Sequence, residues 1–479
     1  ILVTKTYVIL MISKFFYKIL LFSFIPLAIF ATAEDSDSIK SGGDFSLKII
    51  NEESFSEPAP FLNYKQRQIF MRGRSHFNQI WVQMPSLKGD WGLGPTFITD
   101  KCSSCHVKGG KGFLPSNRNE QLKSMIVKIS HDGLDKVGRP IPHPNYGTQF
   151  QNQGLMGQDR DGTFLGDRVP QEVDLYIDWE YSDFTYPDGQ NIVLKKHKLI
   201  IENPMFGKLD EKTKLSLRMA QPIFGLGLFE AVSDEFLLKI SEEQKKFGVN
   251  GRINKSWSDI EKKIKSGRFS WKSSQPSIKQ QIAIAFHGDM GITSSLYNED
   301  NCPPIQKLCD AQPPGNNPEL IDSNWKEVTF WTRALAVPEK RNVNDKKYMQ
   351  GKKLFSNAGC NVCHRDSLQT IDKTPEFPQL ANQVFHPFTD LMIHDMGQGL
   401  ADDFPEFDAS GRDWRTPPLW GIGLSKIVTG KVNFLHDGRA ATIEEAILWH
   451  GGEAKFSKDI YIKFSKDERE KLFFFINSL

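Results

Sequence analysis

The chain has 479 residues, roughly three domain-equivalents at about 150 residues each, which is enough for a sizeable buried core and excludes a small disulfide scaffold. Apolar residues make up 39%, charged residues 25%, and there are 35 Phe and 10 Trp, so burial can offset chain entropy and global disorder is excluded. The 60 Lys and Arg stand against 58 Asp and Glu, so no large basic field exists to recruit nucleic acid.

The first element is an apolar run over 19–30. Met11, Lys14 and Lys18 precede it, and Ala31-Thr32-Ala33 follows with small residues at the spacing that signal peptidase accepts. Residues 1–33 therefore read as an export signal peptide. The run is shorter than the roughly 20 residues a span requires, and no later run approaches that length, so no stable membrane span is expected after cleavage. Cleavage removes three Lys and no acid, leaving 57 bases against 58 acids in a nearly neutral periplasmic protein.

Export implies an oxidising compartment, where each of the six cysteines needs an explanation. Cys102-Ser103-Ser104-Cys105-His106 and Cys360-Asn361-Val362-Cys363-His364 each set two thiols one helical turn apart with a His beside them. Two such thiols can form thioethers to the vinyl groups of a haem while the His meets the iron. The expected cofactors are thus two covalently bound haem c groups, with His106 and His364 as iron ligands. A zinc site would require motifs more than 250 residues apart to converge, and a redox dithiol calls for no His in both copies. Cys302 and Cys309 lack that His and lie among Pro303, Pro304, Pro313, Pro314 and Gly315, so they read as a structural disulfide closing a short loop.

After the first motif, the stretch 173–202 carries alternating segments on either side of Pro187-Asp188-Gly189, a hairpin signal. Pro222-Ile223-Phe224-Gly225-Leu226-Gly227-Leu228 then recurs as Pro418-Leu419-Trp420-Gly421-Ile422-Gly423-Leu424, with Arg218 and Arg415 shortly upstream, and each copy follows a haem motif. Helices are expected over 65–82, 345–355 and 466–479. The expected fold is mainly α, with tandem cytochrome c-like haem domains at 34–265 and 339–479 and a β-hairpin insertion in the N-terminal one. The inter-domain segment 266–338 would hold the disulfide loop.

Near the C-terminus, Thr442-Ile443-Glu444-Glu445 opens a helix that Gly451 and Gly452 close, and Ile443, Ala446, Ile447 and His450 share one face of it. A haem packed there would meet hydrocarbon along its plane and a nitrogen donor at its iron. His450 is therefore assigned as the second axial ligand of the C-terminal haem, with His394, Met396 and His436 as competitors. The first repeat continues Phe229-Glu230-Ala231-Val232-Ser233-Asp234-Glu235 without an imidazole at the matching place. Its iron is expected to be open, or held by a loop residue such as His131, His143 or Met156. A six-coordinate iron passes electrons, whereas an open one binds small ligands and does chemistry. Glu230, His131 and His143 are the candidate catalytic proton-moving groups.

These residues resemble a known family. Thr389-Asp390-Leu391-Met392-Ile393-His394-Asp395-Met396-Gly397, the run Trp414-Arg415-Thr416-Pro417 leading into the second repeat, and Phe434-Leu435-His436-Asp437-Gly438-Arg439-Ala440 are similar to the di-haem c-type oxidoreductases labelled thiol oxidoreductases or peroxidases. The likeness extends to Gln280-Gln281-Ile282-Ala283 and Asp289-Met290-Gly291-Ile292-Thr293-Ser294. More distantly, the chain resembles bacterial di-haem cytochrome c peroxidases and the di-haem enzyme that matures methylamine dehydrogenase. The resemblance implies that the helix after His-Asp-Gly-Arg presents a Met or Tyr ligand. His450 at that place implies instead a bis-His iron of lower potential, and Phe229 stands where the peroxidases carry a Trp between the haems. With four thiols committed to haem and two to a disulfide, no thiol is left for exchange. The expected function is a periplasmic di-haem c-type oxidoreductase passing electrons between a bis-His C-terminal haem and a more accessible N-terminal haem, with peroxide as the candidate oxidant. The alternative is a non-catalytic di-haem electron-transfer protein. Expected partners are small redox proteins or quinol-linked electron donors, with a small-molecule oxidant.

Overall fold

Period-two burial governs the first half of the chain. In Met125–Leu134 the side chains of Met125, Val127 and Ile129 are buried while Ile126 and Lys128 are less so, and Asp174–Thr185 buries Leu175 and Ile177 in the same way. Met125–Leu134 pairs antiparallel with Thr213–Met219, placing Ile129 opposite Leu215, and with Pro140–Ile141 on its other edge. These strands and Asp174–Thr185 enclose a core of their own that includes Tyr146, Phe150, Val173 and Leu217. This computed structural model describes residues 38–85, 91–158, 163–313 and 315–479. The export signal expected at 1–33 lies outside the described residues.

The expectation of a mainly α, tandem cytochrome c-like fold is overturned. Of the described residues, 30% are helical and 22% are strand, distributed over many small sheets. The physical reason is that many of the strands are only two or three residues long and are paired two by two. Ser46–Leu47 pairs with Val337–Pro338, and Ile393–Asp395 with Asp413–Arg415. Strands of two or three residues carry no readable alternation. The hairpin around Pro187-Asp188-Gly189 is present: Asp174–Thr185 pairs with Asn191–Glu202 through twelve residues a side. Its tip reaches the C-terminal helices, where Tyr186 Oη bonds Glu444 (3.0 Å) and Tyr461 Oη (2.9 Å), and Arg469 donates to Asp188 (2.7 Å) and Gln190 (2.9 Å).

The helices come in two matching pairs. Tyr64–Asn78, opened by an Asn63 capping box, packs on Asp322–Arg333, and Lys346–Asn357 packs on Lys466–Ser478, opened by a Ser465 capping box. Each pair crosses at a glycine. A Cβ on Gly73 would strike the Glu327 carbonyl, and one on Gly351 would strike the Lys471 carbonyl. The heptapeptide repeat is used twice in the same way. Gly225 (φ 70°) and Gly421 (φ 67°) turn the chain into short helical segments at Leu226–Glu230 and Ile422–Leu424. The two copies meet, because a Cβ on Gly225 would strike the Trp420 ring and one on Gly421 would strike Phe224.

Cys302 and Cys309 are joined by a disulfide with Cα atoms 5.7 Å apart. Among the described residues, no helix is long and apolar enough to cross a membrane.

Candidate functional site

The helix Lys346–Asn357 ends at Gly359 (φ 75°), which swings the chain into the short turn Cys360–Val362 and sets His364 beneath it. His364 Nδ1 lies 3.0 Å from the Phe388 carbonyl. Facing an acceptor, that nitrogen must be the protonated one, which leaves the Nε2 lone pair free for a metal. His450 stands just past the helix Ile443–Leu448, with its Nδ1 2.7 Å from the Ala446 carbonyl. The same tautomer follows. Burial pushes the pKa of His364 down to about 4 and that of His450 below its ordinary value, so both rings are neutral.

His364 and His450 line one cavity of about 210 Å³ together with Cys360, Cys363, Phe355 and Ile447. Its wall is largely apolar, but Lys111 and Arg415 also line it. Burial pushes Lys111 down to about 8 and Arg415 to about 10, and neither has a carboxylate within ion-pair distance among the described residues. Trp449 Nε1, packed near Met396 and Leu400, is a buried donor without an acceptor among the described residues. A hydrophobic slot with two thiols, two metal-ready imidazoles and unneutralised cations fits a flat metal macrocycle bearing carboxylates. These residues fit a haem.

The competitors for the ligand position are placed differently. His394 lies with Nε2 2.8 Å from Asp390 and Nδ1 2.9 Å from Glu453. Burial opposes its charge, yet the neighbouring Cys363 and Asp390 raise its pKa well above the ordinary value. An imidazolium with both nitrogens engaged has no lone pair to give, although the ligand atoms of Cys363, Asp390 and His394 lie within 4.8 Å of one another. His436 stacks on Trp414 at 3.7 Å and 9°, and burial pushes its pKa down to about 3. Both His436 and Met396 line the cavity.

The first motif is built alike. Cys102–Ser104 forms a turn, and His106 Nδ1 lies 2.6 Å from the Gln221 carbonyl, just before the first repeat. Burial lowers the pKa of His106 against its backbone hydrogen bonds. Burial also lifts the thiols of Cys102 and Cys105, the latter to about 12, with the nearby Asp289 adding to both shifts. Burial pushes Asp289 itself up to about 6, while Gln149 Nε2 donates to it at 2.7 Å. Trp81 packs in the same cluster as Cys102 and leaves its Nε1 without a partner among the described residues.

The three candidate catalytic residues are not among those lining the cavity. His131 lies 3.4 Å from Asp210 and beside the buried His143, whose Nδ1 accepts the Asn145 N–H at 3.2 Å. Glu230 is bound by Arg333 at 2.6 Å and accepts the Ile278 N–H at 3.0 Å, joining the first repeat to the helix Asp322–Arg333. Phe229 stacks on Trp420 at 5.0 Å and 12°, and Trp420 reaches the cavity wall.

Sequence reasoning missed Gln221 and Lys111, and it read Asp289 and Trp414 only as members of the runs that carry the family resemblance. Arg415 was legible only as a repeat-flanking residue. It missed as well a buried ionic cluster behind Trp414, in which Arg218 pairs with Glu406 (2.7 Å) and Asp402 (3.5 Å), Lys272 with Asp402 (2.9 Å), and Lys128 with Glu406. Lys272 Nζ sits 4.3 Å over the Trp414 ring. No periodicity signals such a cluster, because its members come from four separate segments.

A family model described as "Di-haem oxidoreductase, putative peroxidase" matches residues 36–479. No curated protein and no solved structure matches the chain.

Proposed function

Because the chain belongs to the di-haem oxidoreductase family, we propose that it works in the periplasm as a c-type enzyme whose two haems are tethered at Cys102 and Cys105 and at Cys360 and Cys363. His106 and His364 would hold the two irons, and His450 would be the second protein ligand at the C-terminal one. The observation that carries this reading is the placement of His364 and His450 on one apolar cavity, each with Nδ1 bound to a main-chain carbonyl.

Bound haem supplies one-electron chemistry. The chain decides where that chemistry is available. With haem bound, the neutral imidazoles of His364 and His450 would both ligate the second iron and make it an electron store within a largely apolar wall. Among the described residues no second imidazole is hydrogen-bonded into a matching position at the first site, which leaves that site for a small oxidant such as peroxide. Reducing peroxide to two waters consumes two electrons and two protons. The electrons would come from a small redox protein or a quinol-linked donor. The Asp289 carboxyl, beside the first motif, is pushed up to about 6 by burial, close enough to neutrality to give up and take back a proton.

Purified exported protein should show two haems by mass and pyridine haemochrome, one low-spin bis-His signal, and a second iron that binds cyanide. Peroxide turnover with a reduced small cytochrome would support the enzyme reading. Two six-coordinate irons that both refuse cyanide would sink it and leave an electron carrier.

A further inference from the structure

We propose that Arg415, in the C-terminal half of the chain, is a positioning residue for His106 of the first haem motif, acting through the side chain and carbonyl of Gln221. The inference rests on the reading that His106 ligates iron.

Arg415 is 4% exposed, and its donors meet only neutral acceptors: Nε bonds the Ser270 carbonyl (3.0 Å), Nη1 the Thr416 carbonyl (3.4 Å) and Nη2 the Gln221 Oε1 (3.2 Å). Carboxylates of a haem in the cavity would answer the charge of this buried guanidinium, but its bond to Gln221 needs a reason of its own. One is visible at Gln221. The same residue that Arg415 grips by the side chain presents its main-chain oxygen 2.6 Å from His106 Nδ1. Two main-chain bonds, Gly112 N–H to the Ala220 carbonyl (3.2 Å) and Ile223 N–H to the Gly109 carbonyl (3.0 Å), fix the register of this segment against the loop after His106. They leave the tilt of the Gln221 peptide to be set by its side chain. Pro222 follows and removes a further donor that would otherwise compete.

Arg415 is itself anchored in the second site. Its strand, Asp413–Arg415, pairs with Ile393–Asp395, which carries His394 to within 3.9 Å of Cys363 Sγ. The guanidinium also lines the cavity that His364 and His450 share. One side chain therefore touches the wall of the second site and the residue that orients the ligand of the first. A hydrogen bond to the outer nitrogen of a ligating imidazole raises its basicity and steadies its plane, and so lowers the potential of the iron it holds. Arg415 is placed to make that hydrogen bond depend on what occupies the C-terminal site.

The test uses the two-haem holoprotein. Gln221→Met keeps the main-chain carbonyl and removes the acceptor that Arg415 grips, and Arg415→Lys removes the planar fork. Each should raise the midpoint potential of the first haem and lower the iron–histidine stretching frequency of its reduced form in resonance Raman spectra. The double variant should shift the first haem no further than either single change. An unmoved first haem in folded Gln221→Met, or additive shifts in the double variant, overturns the link, and the Gln221 variant decides alone if Arg415→Lys fails to fold. His106→Ala separates the two readings. A wild-type spectrum there overturns ligation by His106, whereas an altered spectrum with Gln221→Met silent overturns only the role of Arg415.

Discussion

Three imidazoles share one arrangement: His106, His364 and His450 each turn Nδ1 to a main-chain carbonyl, at 2.6, 3.0 and 2.7 Å. A main-chain acceptor fixes ring and tautomer without adding charge, so the ring stays neutral in a dry site. Replacing His450 with Met should raise the potential of the C-terminal haem and bring in a sulfur-to-iron absorption band. An unchanged spectrum would return the assignment to Met396 or His436. The clamp around His394 shows how neighbours remove a histidine from contention, since Asp390 and Glu453 occupy both of its nitrogens. Glu406 carries the pH dependence at this scale. Burial would raise its pKa, but Arg218 and Lys128 overcome this and hold it at about 2, below its ordinary 4.5. A depressed carboxyl contributes stability that is complete above pH 4.5 and is lost as pH falls toward 2. Glu406→Gln should cost roughly 3–5 kcal/mol near neutrality and flatten the acid limb of a denaturation series. An acid limb unchanged from the parent protein would show that the cluster is not held by this carboxylate.

Among the elements, the two glycine-crossed helix pairs and the long hairpin position both sites. Tyr64–Asn78 brings Phe77 within 6.2 Å of His106, and Lys346–Asn357 brings Phe355 within 6.3 Å of His364, so each crossing sets the distance between an aromatic wall and the histidine of a motif. Gly351→Ala puts a methyl group against the Lys471 carbonyl. It should cost about 1–3 kcal/mol and lower the midpoint of thermal unfolding. An unshifted midpoint would mean that the helices can part freely. The hairpin ties its own base sheet to the helices flanking His450 through Tyr186. Tyr186→Phe removes the bonds to Glu444 and Tyr461 and should cost about 1–3 kcal/mol, read by chemical denaturation. These helices were legible: 65–82, 345–355 and 466–479 correspond to Tyr64–Asn78, Lys346–Asn357 and Lys466–Ser478. Each begins at a side-chain cap and carries a helical-period apolar face, information held within a dozen consecutive residues. The hairpin was legible for the same reason, because Pro187-Asp188-Gly189 and the alternation beside it are local.

For the whole molecule, the apolar cavity bounded by Trp420, Phe355 and Ile447 is a void in the core unless a ligand fills it. Chain made without haem attachment should therefore melt well below the two-haem protein and bind a hydrophobic dye, since a group bound only by the folded state stabilises it. Equal melting of both forms would refute a structural role for the cofactor. Membership of the di-haem oxidoreductase family was determined by the sequence alone, because short motifs such as Trp414-Arg415-Thr416-Pro417 and His436-Asp437-Gly438-Arg439 survive in linear order. The proportion of strand was not, and the mainly α reading failed where pairs such as Ser46–Leu47 with Val337–Pro338 join segments nearly 300 residues apart. Linear order favoured His450 over His394 by the apolar face of its helix, without showing what surrounds either ring. Both are histidines near apolar residues, and only folding brings two carboxylates to one and a solitary carbonyl to the other. The Arg415–Gln221–His106 chain belongs to the same class. Spacing along the backbone fixes what covalent neighbours can do, whereas the charge and hydrogen bonds around a buried ring come from segments that meet only when the core closes.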